Sequence, residues 1–178
     1  MAAPADWEAR EELWKASYET CYDSLFEELT ADSLITRWGS VDEVTKVLVM
    51  LTASSSVVSG WVLWSQPGYR AFWLLISGIA AILSIVHTAL GVPGRIRMHA
   101  EDKRRFASLR TDLETFRYRM KVQQDVFSVD QFTREFVEYR KRYSENVQLL
   151  TNDIARTSGL ELKIQSEVNA RLKDQVAE

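Results

Sequence analysis

Cysteine, histidine, proline and glycine are all scarce in this chain of 178 residues, which holds one, two, three and seven of them. A lone cysteine, Cys21, excludes an internal disulfide and suits a reducing compartment. Cys21, His87 and His99 cannot supply metal-ligand spacing or a cysteine–histidine dyad. The glycines stand singly or close a helix, so no glycine-rich phosphate loop exists. No catalytic residue, metal site or cofactor is therefore expected, and the chain reads as a non-enzyme. Few glycines and prolines beside abundant Glu, Arg and Leu predict an almost wholly helical protein. The first twenty residues are acidic and lack an apolar run, so no cleavable signal peptide is expected.

Charge is missing from two adjacent stretches. Residues 47–69 contain no Asp, Glu, Lys or Arg, and residues 71–94 contain none either. A protein with 26% charged residues should rarely leave two such gaps side by side. Residues 47–64, extended by a turn from Val41, and residues 71–92 each match the length of a bilayer crossing. Gln66-Pro67-Gly68-Tyr69 reads as a tight turn between them. Trp61, Trp64, Phe72 and Trp73 gather near that turn, as at a membrane interface. Gly91-Val92-Pro93-Gly94 ends or kinks the second crossing. The alternative is a hairpin buried in a soluble α-protein, which would have to wrap both helices on all sides.

The remaining charge is uneven. Residues 1–46 hold 4 basic and 11 acidic residues, and residues 95–178 hold 17 basic and 14 acidic ones. Basic residues concentrate after the second crossing, which places both termini in the cytoplasm and the turn outside an inner, plasma-type membrane. Trp7, Trp14, Tyr18, Tyr22, Leu25 and Leu29 share one face of an amino-terminal amphipathic helix. Ser40-Val41-Asp42-Glu43 reads as a capping box that opens a new helix after Gly39. Phe106, Leu109, Leu113, Phe116 and Met120 form a coiled-coil-type seam. Ser128-Val129-Asp130-Gln131 is a second capping box, with Phe127 and Phe132 spaced as a hydrophobic staple. Phe132, Phe136, Tyr139, Tyr143, Val147, Leu150 and Ile154 form the next stripe, in a helix expected to end at Gly159. A weaker tail helix follows over 160–176. The expected fold is all-α: cytosolic helices over 1–40, a transmembrane hairpin over 41–94, and a cytosolic helical hairpin with tail over 95–178.

Two groups of residues stand out as candidate sites. Thr52, Ser56 and Ser59 share a face of the first crossing. Ser77, Ser84 and Thr88 share a face of the second, beside Ala81 and Gly91. Small and hydroxylated stripes let membrane helices approach closely and hydrogen-bond. The sharper reading is that they line a water-filled path once several hairpins assemble. His87, a titratable group inside a crossing, joins the candidates on that reading. Arg95, Arg97, Lys103, Arg104 and Arg105 form a basic cluster beside the membrane. It holds topology and attracts anionic lipid headgroups, or it pairs with the acidic amino-terminal helix. A small anionic ligand such as a nucleotide is a third option. Nucleic acid is not an expected partner of a membrane chain with net charge −3.

The Tyr18-to-Leu29 helix ending in Phe26-Glu27-Glu28-Leu29, the Leu34-Ile35-Thr36-Arg37-Trp38 segment, the hairpin, and the helix carrying Phe106-Ala107-Ser108-Leu109-Arg110 together resemble the SLATT family. These are two-transmembrane effectors associated with prokaryotic nucleotide-signalling defence systems. The resemblance spans most of the chain and rests on architecture. It implies a homo-oligomeric effector that perforates the inner membrane and kills the infected cell. It also implies a separate partner protein that senses or makes a nucleotide signal. The rival function is a non-conducting membrane scaffold that recruits a cytosolic partner through its helical bundle.

Overall fold

The computed structural model describes residues 4–58, 67–123, 128–150 and 152–177. Side chains at 4–6, 52–58, 67, 70, 73 and 173–177 lie outside that description. The described residues form five α-helices and no strand: α1 Pro4–Val58, α2 Pro67–Ala89, α3 Val92–Val122, α4 Val129–Gln148 and α5 Ser158–Ala177. The all-α expectation holds. The chain divides into two compact units, Ile35–Met98 and the combination of Met1–Leu34 with His99–Glu178.

The larger unit is a helical bundle around a continuous apolar core. Phe106, Leu109, Leu113 and Phe116 on α3 are fully buried, and Met120 nearly so. Their three- and four-residue spacing keeps them on one side of the helix. Phe132 and Phe136 of α4 meet that seam, with Phe116 edge-on to Phe132 at 5.7 Å and stacked with Phe136 at 6.1 Å. Leu13 and Cys21 of α1 close the same cluster. On α5, Leu160, Ile164 and Val168 are buried. Burial of this kind is worth about 1.5–3 kcal/mol per large apolar side chain.

The buried face of α1 is not the aromatic one. Of the expected stripe only Leu29 is buried; Trp7 is exposed, and Trp14, Tyr18, Tyr22 and Leu25 are half-buried. Leu13, Ser17, Thr20, Cys21 and Ser24 point inward instead. Three hydroxyls escape the cost of burial by donating back along the helix: Ser17 to the Trp14 carbonyl, Thr20 to Ala16 and Ser24 to Thr20. Small inward residues bring α1 close to α3. The displaced aromatics then cover a cation, with the Arg117 guanidinium 4.4 Å from the Trp14 ring and 4.8 Å from that of Tyr18.

Ser128 caps α4 as expected, its hydroxyl accepting from the Gln131 N–H while the Gln131 side chain accepts from the Ser128 N–H. The expected staple partner Phe127 lies outside the described residues. Three other boundaries differ from expectation. No helix begins at Val41, because α1 runs through Gly39 without a break. Ser40 donates to the Thr36 carbonyl at 3.0 Å rather than capping. An interior glycine costs only about 1 kcal/mol relative to alanine, too little to break a helix in which Trp38 before it and Thr45 after it are both buried. Likewise α4 stops at Gln148, and Gly159 opens α5 instead of closing α4. There Asp153 accepts from the Ala155 N–H at 2.7 Å, and Thr157 accepts from the Leu160 N–H at 3.3 Å as the cap of α5.

The smaller unit holds the carboxyl-terminal part of α1, all of α2 and the start of α3. Its buried described residues are Trp38, Thr45, Ala80 and Val92, the last of them fully so. Gly91 joins α2 to α3 with φ +59°, a left-handed conformation that glycine adopts without strain. Among the described residues no single helix is long and apolar enough to cross a membrane. The pair Leu74–Ala89 and Val92–Val122, bent at their break, meets that test together. Trp61, Trp64 and Gln66, part of the expected first crossing and its turn, lie outside the described residues.

Candidate functional site

α2 sorts its side chains by face. At about 100° per residue, Ile76, Ala80, Leu83 and His87 fall on one side, and each is buried or half-buried. Ser77, Ala81, Ser84 and Thr88 lie about a quarter turn away and are exposed. The Thr88 hydroxyl donates to the Ser84 carbonyl at 2.9 Å, so the helix satisfies it internally. Of the other stripe, Ser59 and the side chains of Thr52 and Ser56 lie outside the described residues.

His87 does not share the hydroxylated face. Its Nε2 lies 2.8 Å from Oδ1 of Asp42 on α1, and Lys46 donates to Oδ2 of the same carboxylate at 2.6 Å. The His87 and Asp42 side chains are 18% and 15% exposed. Asp42 and Lys46 are one helical turn apart, which puts both on the side of α1 that meets α2. An acid, an imidazole and an ammonium thus close the base of the hairpin. The sequence reading passed over Asp42 because it sat inside an apparent capping box. Its spacing from Lys46, four residues on, was the available signal.

The basic cluster is dispersed. Arg95 donates from Nε to the Leu90 carbonyl at 2.9 Å, with its guanidinium 5.1 Å from the Trp38 ring. Lys103 pairs with Asp32 of α1 at 2.8 Å, the pairing with the acidic helix that charge asymmetry anticipated. Two arginines outside the cluster do the same: Arg110 binds Glu28 at 2.8 Å, and Arg156 holds Glu27 through both terminal nitrogens at 2.9 Å each. Arg97 and Arg104 stay exposed, and Arg105 only approaches Glu101 at 3.4 Å and Asp102 at 3.9 Å.

A second titratable centre lies inside the larger unit. His99, Asp102 and Asp153 are all buried there. His99 Nε2 is 2.8 Å from Asp153, and Nδ1 is 3.7 Å from Asp102. Burial works against the imidazolium, but the two carboxylates outweigh it and raise the His99 pKa above its ordinary value. The centre ties α3 to the turn before α5. Cys21 lies in the apolar cluster of the same unit, with Leu109, Leu113 and Phe116, and desolvation pushes its thiol up to about 11. Among the described residues no group of histidine, cysteine and carboxylates is placed to hold a metal ion.

No family model matches this chain, and no curated protein or solved structure matches it either.

Proposed function

We propose that the chain is a membrane effector, in which α2 and the adjoining part of α1 form a transmembrane hairpin and the larger unit drives self-assembly. The observation that carries this reading is the outward apolar surface of the smaller unit. On α2, Leu74, Leu75, Ile79, Ile82, Ile85 and Val86 are exposed, with Ile82 at 63% and Ile85 at 68%. On α1, Val44, Val47, Met50 and Leu51 are exposed as well. Soluble domains rarely expose contiguous apolar patches beyond a few hundred Å², and a lipid bilayer is the solvent in which such a surface costs nothing. The 23 residues of α2 rise about 35 Å, against a hydrocarbon core of about 30 Å, a match of length that becomes a match of length and composition only together with α3 across the bend.

On this reading the assembled hairpins turn Ser77, Ser84 and Thr88 toward a water-filled path, while the Asp42–His87 contact holds the two helices of one hairpin together. The SLATT resemblance favours the same role in defence, with the trigger supplied by a partner that senses or makes a nucleotide. The test is membrane potential in bacteria after induced expression, read with a voltage-sensitive dye. Depolarisation by the intact chain, lost in a Ser84→Leu, Thr88→Leu variant that still assembles, supports the pore. Inserted, assembled protein whose toxicity survives both leucines refutes this pore face. Silence both alone and with the neighbouring genes co-expressed favours the non-conducting scaffold.

A further inference from the structure

The sequence cluster of five basic residues dissolves in the fold, but a different basic site is assembled in its place. On the solvent side of the α3–α4 seam, Arg104, Arg105 and Ser108 of α3 face Arg142, Glu145 and Asn146 of α4 across a groove of about 380 Å³. The two helices are held at this level by the edge-on rings of Phe106 and Tyr143, 6.3 Å apart. Arg142 ends the basic run Arg140-Lys141-Arg142 and is 37 and 38 residues from Arg105 and Arg104 in sequence; only helix packing brings it beside them.

We propose that this groove binds a phosphate-bearing anion. Three guanidinium groups line it against one carboxylate, Glu145. The surrounding acids hold these arginines loosely. Arg104 has no hydrogen-bond or ion-pair partner among the described residues. Arg105 stands 3.4 Å from Glu101 and 3.9 Å from Asp102. Arg142 pairs with Asp112 at 2.8 Å, with both side chains more than two-fifths exposed. Exposed pairs of this kind are weak, so a ligand can redirect the guanidinium groups at little cost. Arginine presents planar paired donors that match a phosphate's oxygens, and such charge-assisted bonds are about twice as strong as neutral ones. The Ser108 hydroxyl and Asn146 amide add neutral donors. Glu145 repels an anion at its own side of α4, so the phosphate sits nearer the α3 arginines. The site belongs wholly to the larger unit and does not depend on the hairpin reading.

A phosphate here has two sources: the headgroup of an anionic lipid, or a free phosphorylated molecule. The full chain, purified in uncharged detergent, is titrated with inorganic pyrophosphate at low ionic strength and followed by calorimetry. Binding is expected, weakened about tenfold by Arg104→Gln. Arg142→Lys, which keeps the charge but loses the fork, weakens it by a smaller factor. Lys163→Gln, an exposed cation on α5, leaves it unchanged. Repeating the titration in micelles doped with phosphatidylglycerol separates the sources. Competition that abolishes pyrophosphate binding assigns the groove to a lipid headgroup, and undiminished binding assigns it to a free phosphate. Absence of binding in both arms overturns the proposal. So does equal weakening by Arg104→Gln and Lys163→Gln in variants with unchanged helical content, because that pattern is bulk charge.

Discussion

The two units of this chain use similar apolar side chains in opposite ways. In the larger unit Phe106, Leu109, Leu113 and Phe116 are sealed from solvent, and among its described residues the acidic and basic ones buried as a whole are those of the His99 centre. In the smaller unit Ile82, Ile85, Leu74 and Leu75 face outward, and Asp42 and His87 meet between the helices, with the exposed Lys46 bound to the same carboxylate. One hides its apolar side chains and the other is inside out. Composition alone does not separate them. The arrangement of polar and apolar faces does, and the proposed hairpin reads it as two solvents for one chain.

The comparison is broken most severely by charging the outward face of α2. An Ile82→Lys, Ile85→Lys variant places two ammonium groups where hydrocarbon is expected, at about 2.5–3.5 kcal/mol each near the centre of a crossing. The fraction of protein in the membrane, measured after expression, should fall sharply. On a water-facing surface the same changes would shift stability by only about 0.5 kcal/mol. In the larger unit Phe116→Ala removes the ring that touches Phe132, Phe136 and Tyr139. It should cost about 3–5 kcal/mol, read as a lowered urea midpoint of that unit's unfolding.

Smaller effects sharpen the electrostatic side. Because the folded pKa of His99 is raised, the stability it confers is fully present below its ordinary value near 6.5 and is lost as pH rises through the folded value. Unfolding of the larger unit, followed in urea between pH 6 and 9, should show declining stability. Asp102→Asn should flatten that decline by removing one of the carboxylates that favour the imidazolium. Ser128→Ala should cost about 1 kcal/mol by deleting the α4 cap, measurable in the same unfolding assay. At the small end, Cys21 should react with a thiol reagent only as fast as the unit opens, since its thiol is buried with a pKa pushed up to about 11.

Much of the fold was readable in the residues. Three- and four-residue spacing found the α3 seam and the buried start of α4, and the Ser128 capping box is present atom for atom. What misled was local chemistry overruled by tertiary contact. Gly39-Ser40 looked like a break, yet helix continues through it because buried side chains flank both ends. The aromatic stripe of α1 looked like its core face, yet back-bonding hydroxyls made Ser17, Thr20 and Ser24 the better inward residues. Of the candidate site, periodicity gives the shared face of Ser77, Ser84 and Thr88 on α2, and that face is exposed. The Asp42–His87 contact and the arrival of Arg142 beside Arg104 were not. They join residues 45 and 38 positions apart, and no single-helix pattern carries that information.

The measurement that bears most directly on the inside-out unit is alkaline carbonate extraction of membranes from cells expressing the full chain. A transmembrane hairpin stays in the pellet and is released only by detergent. Recovery of a monodisperse, folded protein in the carbonate supernatant would contradict it, and would leave the outward face of α2 to be covered by protein rather than lipid.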